Sequence, residues 1–313
     1  MPTIDLFFTE ASVSLPLLIL LGFSVGLLSG LLGVGGGWLI TPGLNILGIP
    51  MAYCVGTGLT QMAATSLISL YKHRKNNNTD FTLGVGLGIP MILGLQFGKM
   101  ILVELNQRGN AGDVTRILYI ILLSLMAINM LKKAPEENKK VGGWGFLHWG
   151  PKLFLKRSEK NVSFFFLLIV GIIVGVLSGI MGVGGGFLLI PIMTSLIGIS
   201  TLVAIATSLI CVFFSGASGA VMFSFANLVE WKIVGLLLSG SFVGSLIGVK
   251  GTEYAKESDL RRLFALLISF AALSTLLKQL QFDQLSSIVM FGIAGGLSLY
   301  CIILILKGRK KEL

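Results

Sequence analysis

Long apolar stretches, separated by short polar segments, run through most of the chain. Five of these stretches come near or exceed the roughly 20 apolar residues that cross a bilayer as a helix. The five are 81–103, 114–131, 201–223, 233–249 and 285–306, and two shorter or interrupted stretches cover 51–71 and 260–277. The pattern therefore predicts an all-α integral membrane protein with seven ordinary crossings.

Composition and charge support this prediction. Of the 313 residues, 54% are hydrophobic and 12% are charged, and the mean hydropathy is +0.90. The formal net charge is +10, but the basic residues lie in loops beside apolar segments, where retention in the cytoplasm explains them without a nucleic-acid partner. The first ten residues carry acids instead of a basic region, so we expect no cleaved signal peptide.

The sequence contains an internal duplication centred on a glycine-rich motif. Residues 26–42 read GLLSGLLGVGGGWLITP and residues 175–191 read GVLSGIMGVGGGFLLIP, and the two segments agree at 11 of 17 positions. After one inserted residue the likeness continues at an offset of 150, which pairs Thr57 with Thr207. Two repeats of this length predict a chain built from two similar transmembrane units.

The distribution of lysine and arginine favours opposite orientations of the two units. If each glycine-rich region returns to the side from which it entered, 19 basic residues lie on one side of the membrane and 5 on the other, whereas single crossings give 13 and 11. The positive-inside rule then places the N-terminus outside and the C-terminus in the cytoplasm. About 33 residues are too few for two full crossings, so we expect a re-entrant or broken helical hairpin in each repeat. Inverted-topology repeats are typical of secondary transporters.

The repeat and the charges divide the chain into six predicted segments. These are an extracytoplasmic N-terminus (1–14), a first transmembrane repeat (15–132), a cytoplasmic linker with an interfacial segment (133–163), a second transmembrane repeat (164–278), an extra transmembrane helix (285–306) and a cytoplasmic basic tail (307–313). Each repeat should hold one glycine-rich hairpin and three transmembrane helices. We expect a multi-pass protein of the cytoplasmic membrane, surrounded by the lipid bilayer, and leave open whether it forms a homodimer.

The repeated GVGGG segments predict an anion site near the middle of the membrane. Inside hydrocarbon, irregular backbone is tolerated only where protein covers it or where it lines a wet cavity. The segments that follow can restart as short helices, whose free N–H groups and positive dipole end bind anions without a basic side chain. Two such helix starts from inverted repeats would meet near the midplane. The alternative is that the glycines only allow helices to cross closely.

The candidate substrate-binding residues lie in the two motifs and in the helices that follow them. They are Gly35, Gly36, Gly37, Gly184, Gly185 and Gly186 in the motifs, and Thr57, Gln61, Thr207 and Ser208 in the helices. The side chains of the second group can donate hydrogen bonds to an anion, although hydroxyls in membrane helices also bond to their own backbone. Asp80 and Glu230 each precede an aromatic residue at a predicted helix start, where a carboxylate caps free N–H groups.

No enzymatic or metal-binding constellation accompanies these residues. Cys54, Cys211 and Cys301 occur singly, without the CxxC spacing of a zinc site or the pattern of a disulfide framework. The sequence offers no paired acid and base and no nucleophile with a partner. We therefore predict neither a cofactor nor a metal, and a protein that is not an enzyme.

The doubled GxxSGxxGVGGGxxxxP motif resembles the TauE/SafE family of sulfite exporters and related permeases. The GTGL and ATSL segments at 56–59 and 206–209, and the acid–aromatic pairs at 80–81 and 230–231, add to this resemblance, which extends from about 15 to 306. The resemblance implies a transporter of small sulfur-containing anions such as sulfite or sulfonates. Two alternatives stay open: a passive anion channel with the same site, and a thiosulfate- or thiol-handling permease that uses Cys54 or Cys211.

Overall fold

The computed structural model describes residues 3–5, 12–75, 79–131, 150–155, 157, 160–251 and 257–309. Residues 133–149, the first half of the predicted cytoplasmic linker, and residues 310–313 of the predicted basic tail lie outside these ranges. Within them the chain is almost entirely helical. Two short antiparallel hairpins are the exception, formed by β1 (Thr3–Asp5) with β2 (Ser12–Ser14) and by β3 (Lys152–Leu155) with β4 (Lys160–Ser163).

The helices follow one another in the order that the duplication predicts. They are α1 (Leu15–Leu32), α2 (Gly37–Ile46), α3 (Met51–Lys75), α4 (Phe81–Gln107), α5 (Ala111–Leu131), α6 (Phe164–Met181), α7 (Gly186–Pro191, continued by the π-helix Ile192–Ile197), α8 (Thr201–Ser224), α9 (Trp231–Gly251), α10 (Glu257–Gln279) and α11 (Asp283–Arg309). Helices α1 to α5 thus correspond to α6 to α10, and α11 is the additional helix.

Seven helices within the described ranges are long and apolar enough to cross a membrane, which confirms the all-α integral membrane class. They are Leu15–Leu32, Phe81–Gln107, Ala111–Ile128, Phe164–Met181, Thr201–Ser224, Trp231–Gly251 and Asp283–Ile303. Five of these helices match predicted crossings, but the predicted crossings at 51–71 and 260–277, in α3 and α10, are not among the seven. Helix α3 contains several threonines and a glutamine that lower its hydropathy, and the apolar segment described in α10, Ala265–Gln279, is shorter than a full crossing. The seven helices instead include α1 and α6, the first arms of the glycine-rich regions.

Each glycine-rich region is a helical hairpin with arms of unequal length. Helix α1 has 18 residues, or about 27 Å, which is close to the hydrocarbon thickness of roughly 30 Å. Helix α2 has 10 residues and runs back along α1, with Gly36 against Val25 and Gly43 against Leu21. The break between the arms falls at the glycines because several of them adopt a left-handed backbone that a helix cannot contain.

Two closely packed seams join the repeats. Helix α1 packs along α9, where a β-carbon on Gly26 would collide with the backbone of Ser241. Helix α6 packs along α4 in the same way, where a β-carbon on Gly175 would collide with the backbone of Met91. Small residues allow membrane helices to approach this closely. The first arm of each hairpin is therefore held by the fourth helix of the opposite repeat.

The equivalent helices α3 and α8 pack against each other in antiparallel directions. Gly56 of α3 lies against Phe223 near the end of α8, and Gly216 of α8 lies against Leu59 and Ala63 of α3. Equivalent elements meet in this way when a two-fold axis runs across them. The inverted orientation of the repeats in the membrane stays a prediction, because helix packing alone does not assign the two membrane faces.

Candidate functional site

The two glycine-rich loops, residues 33–36 and 182–185, have the same backbone conformation. The φ angles are 66°, 78° and 81° at Gly33, Gly35 and Gly36, and 72°, 66° and 77° at Gly182, Gly184 and Gly185. These left-handed values are readily adopted only by glycine. The first glycine of each loop closes the preceding helix by donating to the carbonyl of Ser29 or Ser178. The sequence duplication is thus also a duplication of backbone geometry.

Several backbone N–H groups of the two loops donate no hydrogen bond within the described chain. Across the described chain, no hydrogen bond is donated by the N–H groups of Gly35, Gly36, Gly37, Gly184, Gly185 or Gly186. The N-cap positions of α2 and α7 have no side-chain cap. Next to the loops, the buried hydroxyls of Ser29 and Ser178 also lack a partner within the described residues. The structure thus shows no protein acceptor for these N–H groups within the described residues.

The structure brings the two loops together but closes the space between them. A β-carbon on Gly186 would lie 2.9 Å from the carbonyl oxygen of Val34, so each loop touches the other hairpin. Met62 of α3 lies against residues 37 and 184, and Val212 of α8 lies against residues 35, 184 and 186. Both side chains are fully buried, and they occupy equivalent positions in the two repeats. In this conformation, apolar side chains lie where the sequence predicts the anion.

Thr57 and Thr207, which the sequence predicts as anion donors, support helix starts in the opposite repeat. The hydroxyl of Thr57 accepts a hydrogen bond from the backbone N–H of Glu230 at 3.0 Å. The hydroxyl of Thr207 accepts the equivalent bond from Asp80, also at 3.0 Å. Both threonines are fully buried. These exchanged bonds join the two repeats at equivalent points and do not involve the glycine loops.

The capping role predicted for the acidic residues is confirmed at the start of α4. The carboxylate of Asp80 accepts from the backbone N–H of Leu83 at 3.1 Å, and its second oxygen accepts from Arg157 N–H at 3.3 Å. Asp80 and Glu230 are both buried. A carboxylate in this position complements the dipole of the helix that it begins.

The third hydroxyl candidate, Ser208, does contact a glycine loop. Its hydroxyl lies 2.7 Å from the carbonyl oxygen of Gly33. The equivalent position in the first repeat is Gly58, which has no side chain, and the carbonyl of Gly182 accepts from Thr41 at 3.3 Å instead. Thr41 is absent from the sequence prediction. The sequence feature that could have indicated Thr41 is a hydroxyl that occurs in only one copy of the motif, since the other copy has Ile190 at this position.

Gln61 lies apart from the loops, in a polar pair that has no counterpart in the second repeat. Its side-chain nitrogen donates to the hydroxyl of Ser241 at 2.9 Å. Its amide oxygen is buried and has no partner within the described chain. The equivalent residues in the other repeat are Cys211 and Met91, so this pair makes the two halves different.

Tyr119 of α5 connects the two loops and was not predicted from the sequence. Its hydroxyl donates to the carbonyl of Met181 at 2.7 Å and lies 3.4 Å from the carbonyl oxygen of Gly37. The residue is fully buried. The sequence feature that could have indicated Tyr119 is a phenol within the apolar stretch 114–131, because a buried hydroxyl needs a hydrogen-bond partner. The DVTR and DLRR segments place Ala265 at the equivalent position.

The three membrane cysteines are buried. Cys54 and Cys211 are fully buried, and their thiols donate to the carbonyls of Ile49 and Gly84. Cys301 is also buried and unpaired. Among the residues that the structure describes, no group of three or more metal-ligating side chains occurs.

Comparison with known proteins assigns the family. The sequence model of the sulfite exporter TauE/SafE family matches residues 18–275. A probable membrane transporter protein of Methanocaldococcus jannaschii is 32% identical over 190 residues, which cover 59% of this chain and 63% of that protein. The probable membrane transporter proteins YunE and YdhB of Bacillus subtilis are 28% and 26% identical, over 75% and 82% of this chain and 88% and 98% of their own lengths. No solved structure matches the chain. The chain therefore belongs to the TauE/SafE family and is a multi-pass membrane transporter.

Proposed function

We propose that the protein is a secondary transporter that moves a small sulfur-containing anion, such as sulfite or a sulfonate, across the cytoplasmic membrane by alternating access. The observation that carries this proposal is the pair of matching glycine loops, whose N–H groups have no protein partner in the described chain. The loops belong to hairpins that touch each other. Two helix starts directed at a common point would favour a negative charge over a positive one.

The strength of such a site suits a carrier. A hydrogen bond to a charged group contributes roughly 1.5–3 kcal/mol, so about four backbone donors give a gross gain of roughly 6–12 kcal/mol. The cost of removing water from the anion offsets much of this gain. Binding would then be weak enough for release on the other side of the membrane. Cationic side chains in the loops would bind more tightly and slow that release.

The packing of the helices supports a rocking movement between two rigid pairs of helices, α1 with α9 and α4 with α6. Each pair contains one helix from each repeat. The seams α1–α9 and α4–α6 are formed by glycines against backbone, which leaves little freedom within each seam. Between them lie α3 and α8, whose side chains Met62 and Val212 pack against glycines of both hairpins. Withdrawal of these two side chains would open the anion site. We place the N-terminus outside and treat the repeats as inverted, which the antiparallel contact of α3 with α8 supports.

Thermal stability across a panel of ions is the first test. The detergent-purified protein would be heated with sulfite, thiosulfate, sulfate, sulfoacetate, taurine, chloride and common cations. A ligand that binds only the folded state raises its stability, by about 2.7 kcal/mol at 100 times its Kd. We expect a selective shift with one sulfur-containing anion. A shift with cations alone, or with no member of the panel, would contradict the anion site.

Liposome flux then separates the remaining readings of the same site. Saturable exchange against a chemical gradient supports the carrier, whereas ohmic currents with very high turnover indicate a passive channel. The third reading, a permease that uses Cys54 or Cys211 covalently, is tested by replacing both with serine. Flux that survives this double substitution excludes it, as the burial of both thiols leads us to expect.

A further inference from the structure

A basic crevice lies where the ends of α2, α5 and α10 meet. It is a shallow depression between side chains and is too narrow to hold a water molecule in this conformation. Its polar lining residues are Asn45, Arg116, Tyr119, Thr275 and Lys278. The crevice is separate from the glycine loops, and the transport proposal above does not use its two cations.

The two cations lie inside the crevice, and their acidic partners lie at its rim. The side chains of Arg116 and Lys278 are 20% and 16% exposed, whereas those of Asp113 and Asp283 are 57% and 65% exposed. The ion-pair distances are 2.7 Å and 2.8 Å. Neither aspartate lines the crevice. The wall therefore carries two positive charges whose counter-charges stand in water, and an ion pair with an exposed partner contributes little stability.

Neutral side chains hold Arg116 in place independently of its acidic partner. Its Nε donates to the amide oxygen of Gln279 at 2.7 Å, and its Nη1 donates to Asn45 at 3.2 Å. A guanidinium has five N–H donors, so the amides and one carboxylate bond do not exhaust it. If Asp113 turned away, Arg116 would keep its position and present a planar fork to another oxyanion.

One side chain, Tyr119, both lines the crevice and contacts residues that flank the two glycine loops. Tyr119 lies one turn further along α5 than Arg116 and also lines the crevice. Its hydroxyl bonds to Met181 at the end of α6 and lies near the carbonyl of Gly37 at the start of α2.

We infer that Arg116 and Lys278 form an anion vestibule, which admits a small oxyanion from one side of the membrane before it reaches the glycine loops. Asp113 and Asp283 form ion pairs with the two cations when the anion is absent, and they compete with the anion for these cations when it binds. In the orientation predicted from the charges, the vestibule opens to the extracytoplasmic side. This inference rests on the proposed anion transport.

The rival interpretation is a purely structural clamp that ties α5 to α10 and α2. The two interpretations differ in the sign of one effect. If the aspartates compete with the anion, removing their charge lowers the KM for the anion. If the ion pairs only hold helices together, removing the charge leaves KM unchanged or impairs transport and stability together.

The test is anion uptake by the full-length protein in liposomes, with sulfite, thiosulfate and sulfoacetate as probes added on either side. We expect Arg116→Gln and Lys278→Gln to raise KM by about tenfold, the equivalent of one lost charge-assisted hydrogen bond, with little change in kcat. Asp283→Asn should lower KM by a few-fold. Arg108→Gln is the matched control, because Arg108 forms an exposed ion pair with Glu104 at the neighbouring helix end, outside the crevice.

The outcomes separate the vestibule from the transport proposal. Wild-type flux that saturates, together with unchanged KM in Arg116→Gln and Lys278→Gln, would overturn the vestibule and leave the glycine site standing. Wild-type protein with no saturable flux of any probe would overturn both. Thermal unfolding of each variant monitors folding, and if Arg116→Gln does not fold, Lys278→Gln and Asp283→Asn decide the question by the direction in which KM moves.

Discussion

The two glycine-rich loops share a backbone conformation but are held by different side chains. The carbonyl of Gly33 accepts from Ser208 of the opposite repeat, whereas the carbonyl of Gly182 accepts from Thr41 within the short arm of the opposite hairpin. Tyr119 contributes a hydroxyl from the first repeat alone. The comparison shows that the two repeats share the backbone conformation of the loops but not the side chains around them. Each buried loop carbonyl needs a hydrogen-bond donor, and different side chains can supply it.

The same comparison shows where the halves can act differently. Gln61 and Ser241 form a polar pair on one side, and Cys211 and Met91 stand at the equivalent positions on the other. The basic crevice likewise adjoins α2 and not α7. A symmetric central site with unlike surroundings would let the two membrane faces differ in anion affinity while sharing one binding geometry.

The largest effect is expected from a side chain at the N-cap glycine of either loop. Gly36→Leu and Gly185→Leu each force a leucine into a left-handed backbone and against Val25 or Met91, so we expect anion-induced stabilisation and flux to be lost. Membrane expression should remain measurable. Gly235→Leu is the control, because a β-carbon there meets open space. Normal flux in only one of the two variants would show that the loops are not equivalent.

Removal of the loop anchors should have the next largest effect. Ser208→Ala leaves the buried carbonyl of Gly33 without this donor, and we expect a loss of about 1–3 kcal/mol of stability. Thr41→Val removes a longer bond and should cost less. Thermal unfolding measures both changes, and equal losses would contradict the ranking by bond length.

A double variant sharpens the comparison by moving one anchor to the position of the other. Gly58→Ser places a hydroxyl in the first repeat where Ser208 lies in the second, and a β-carbon at position 58 is 3.2 Å from Oγ1 of Thr41 and 3.8 Å from the carbonyl oxygen of Gly182. Gly58→Ser should therefore recover part of the stability that Thr41→Val loses. If the two substitutions destabilise additively, position 58 cannot support the loop.

A smaller effect is expected from removing the single bridging hydroxyl. Tyr119→Phe deletes one buried donor and leaves the ring in place, so we expect about 0.5–1.5 kcal/mol of lost stability. Tyr300→Phe is the exposed control. Because the phenol lies between the loops, flux should fall by more than the stability change explains. If flux falls only as far as the loss of stability explains, the hydroxyl of Tyr119 has a structural role and no role in transport.

The smallest effect on stability is expected at Gln61. Its unpartnered amide oxygen costs free energy that roughly balances its bond to Ser241, so Gln61→Met should leave thermal unfolding nearly unchanged. If the oxygen serves a step of transport, the flux of this variant falls without loss of stability. An unfolding temperature that drops sharply would mean that the pair is structural.

Part of the fold was predictable because its causes are local in the chain. Hydrophobic length predicts membrane-spanning helices, and the glycines at 33–36 and 182–185 predict the breaks because only glycine readily adopts the left-handed backbone found there. The cap of α4 by Asp80 follows from the same local logic. The free N–H groups at both helix starts were also predictable, since every helix leaves its first donors unpaired.

The sequence by itself thus determined the membrane class, the duplication, the two broken hairpins and the family. Only the tertiary structure decided which groups meet. The bonds of Thr57 to Glu230 and Ser208 to Gly33 span 173 and 175 residues, and no local pattern encodes such partners. Tertiary packing made the two threonines acceptors for N–H groups at the starts of helices in the opposite repeat. It also brought Thr41 and Tyr119 close to the loops and packed Met62 and Val212 against the loop glycines. The physical reason is that a buried polar group bonds whatever donor or acceptor the packed helices bring within about 3 Å, wherever it lies in the chain.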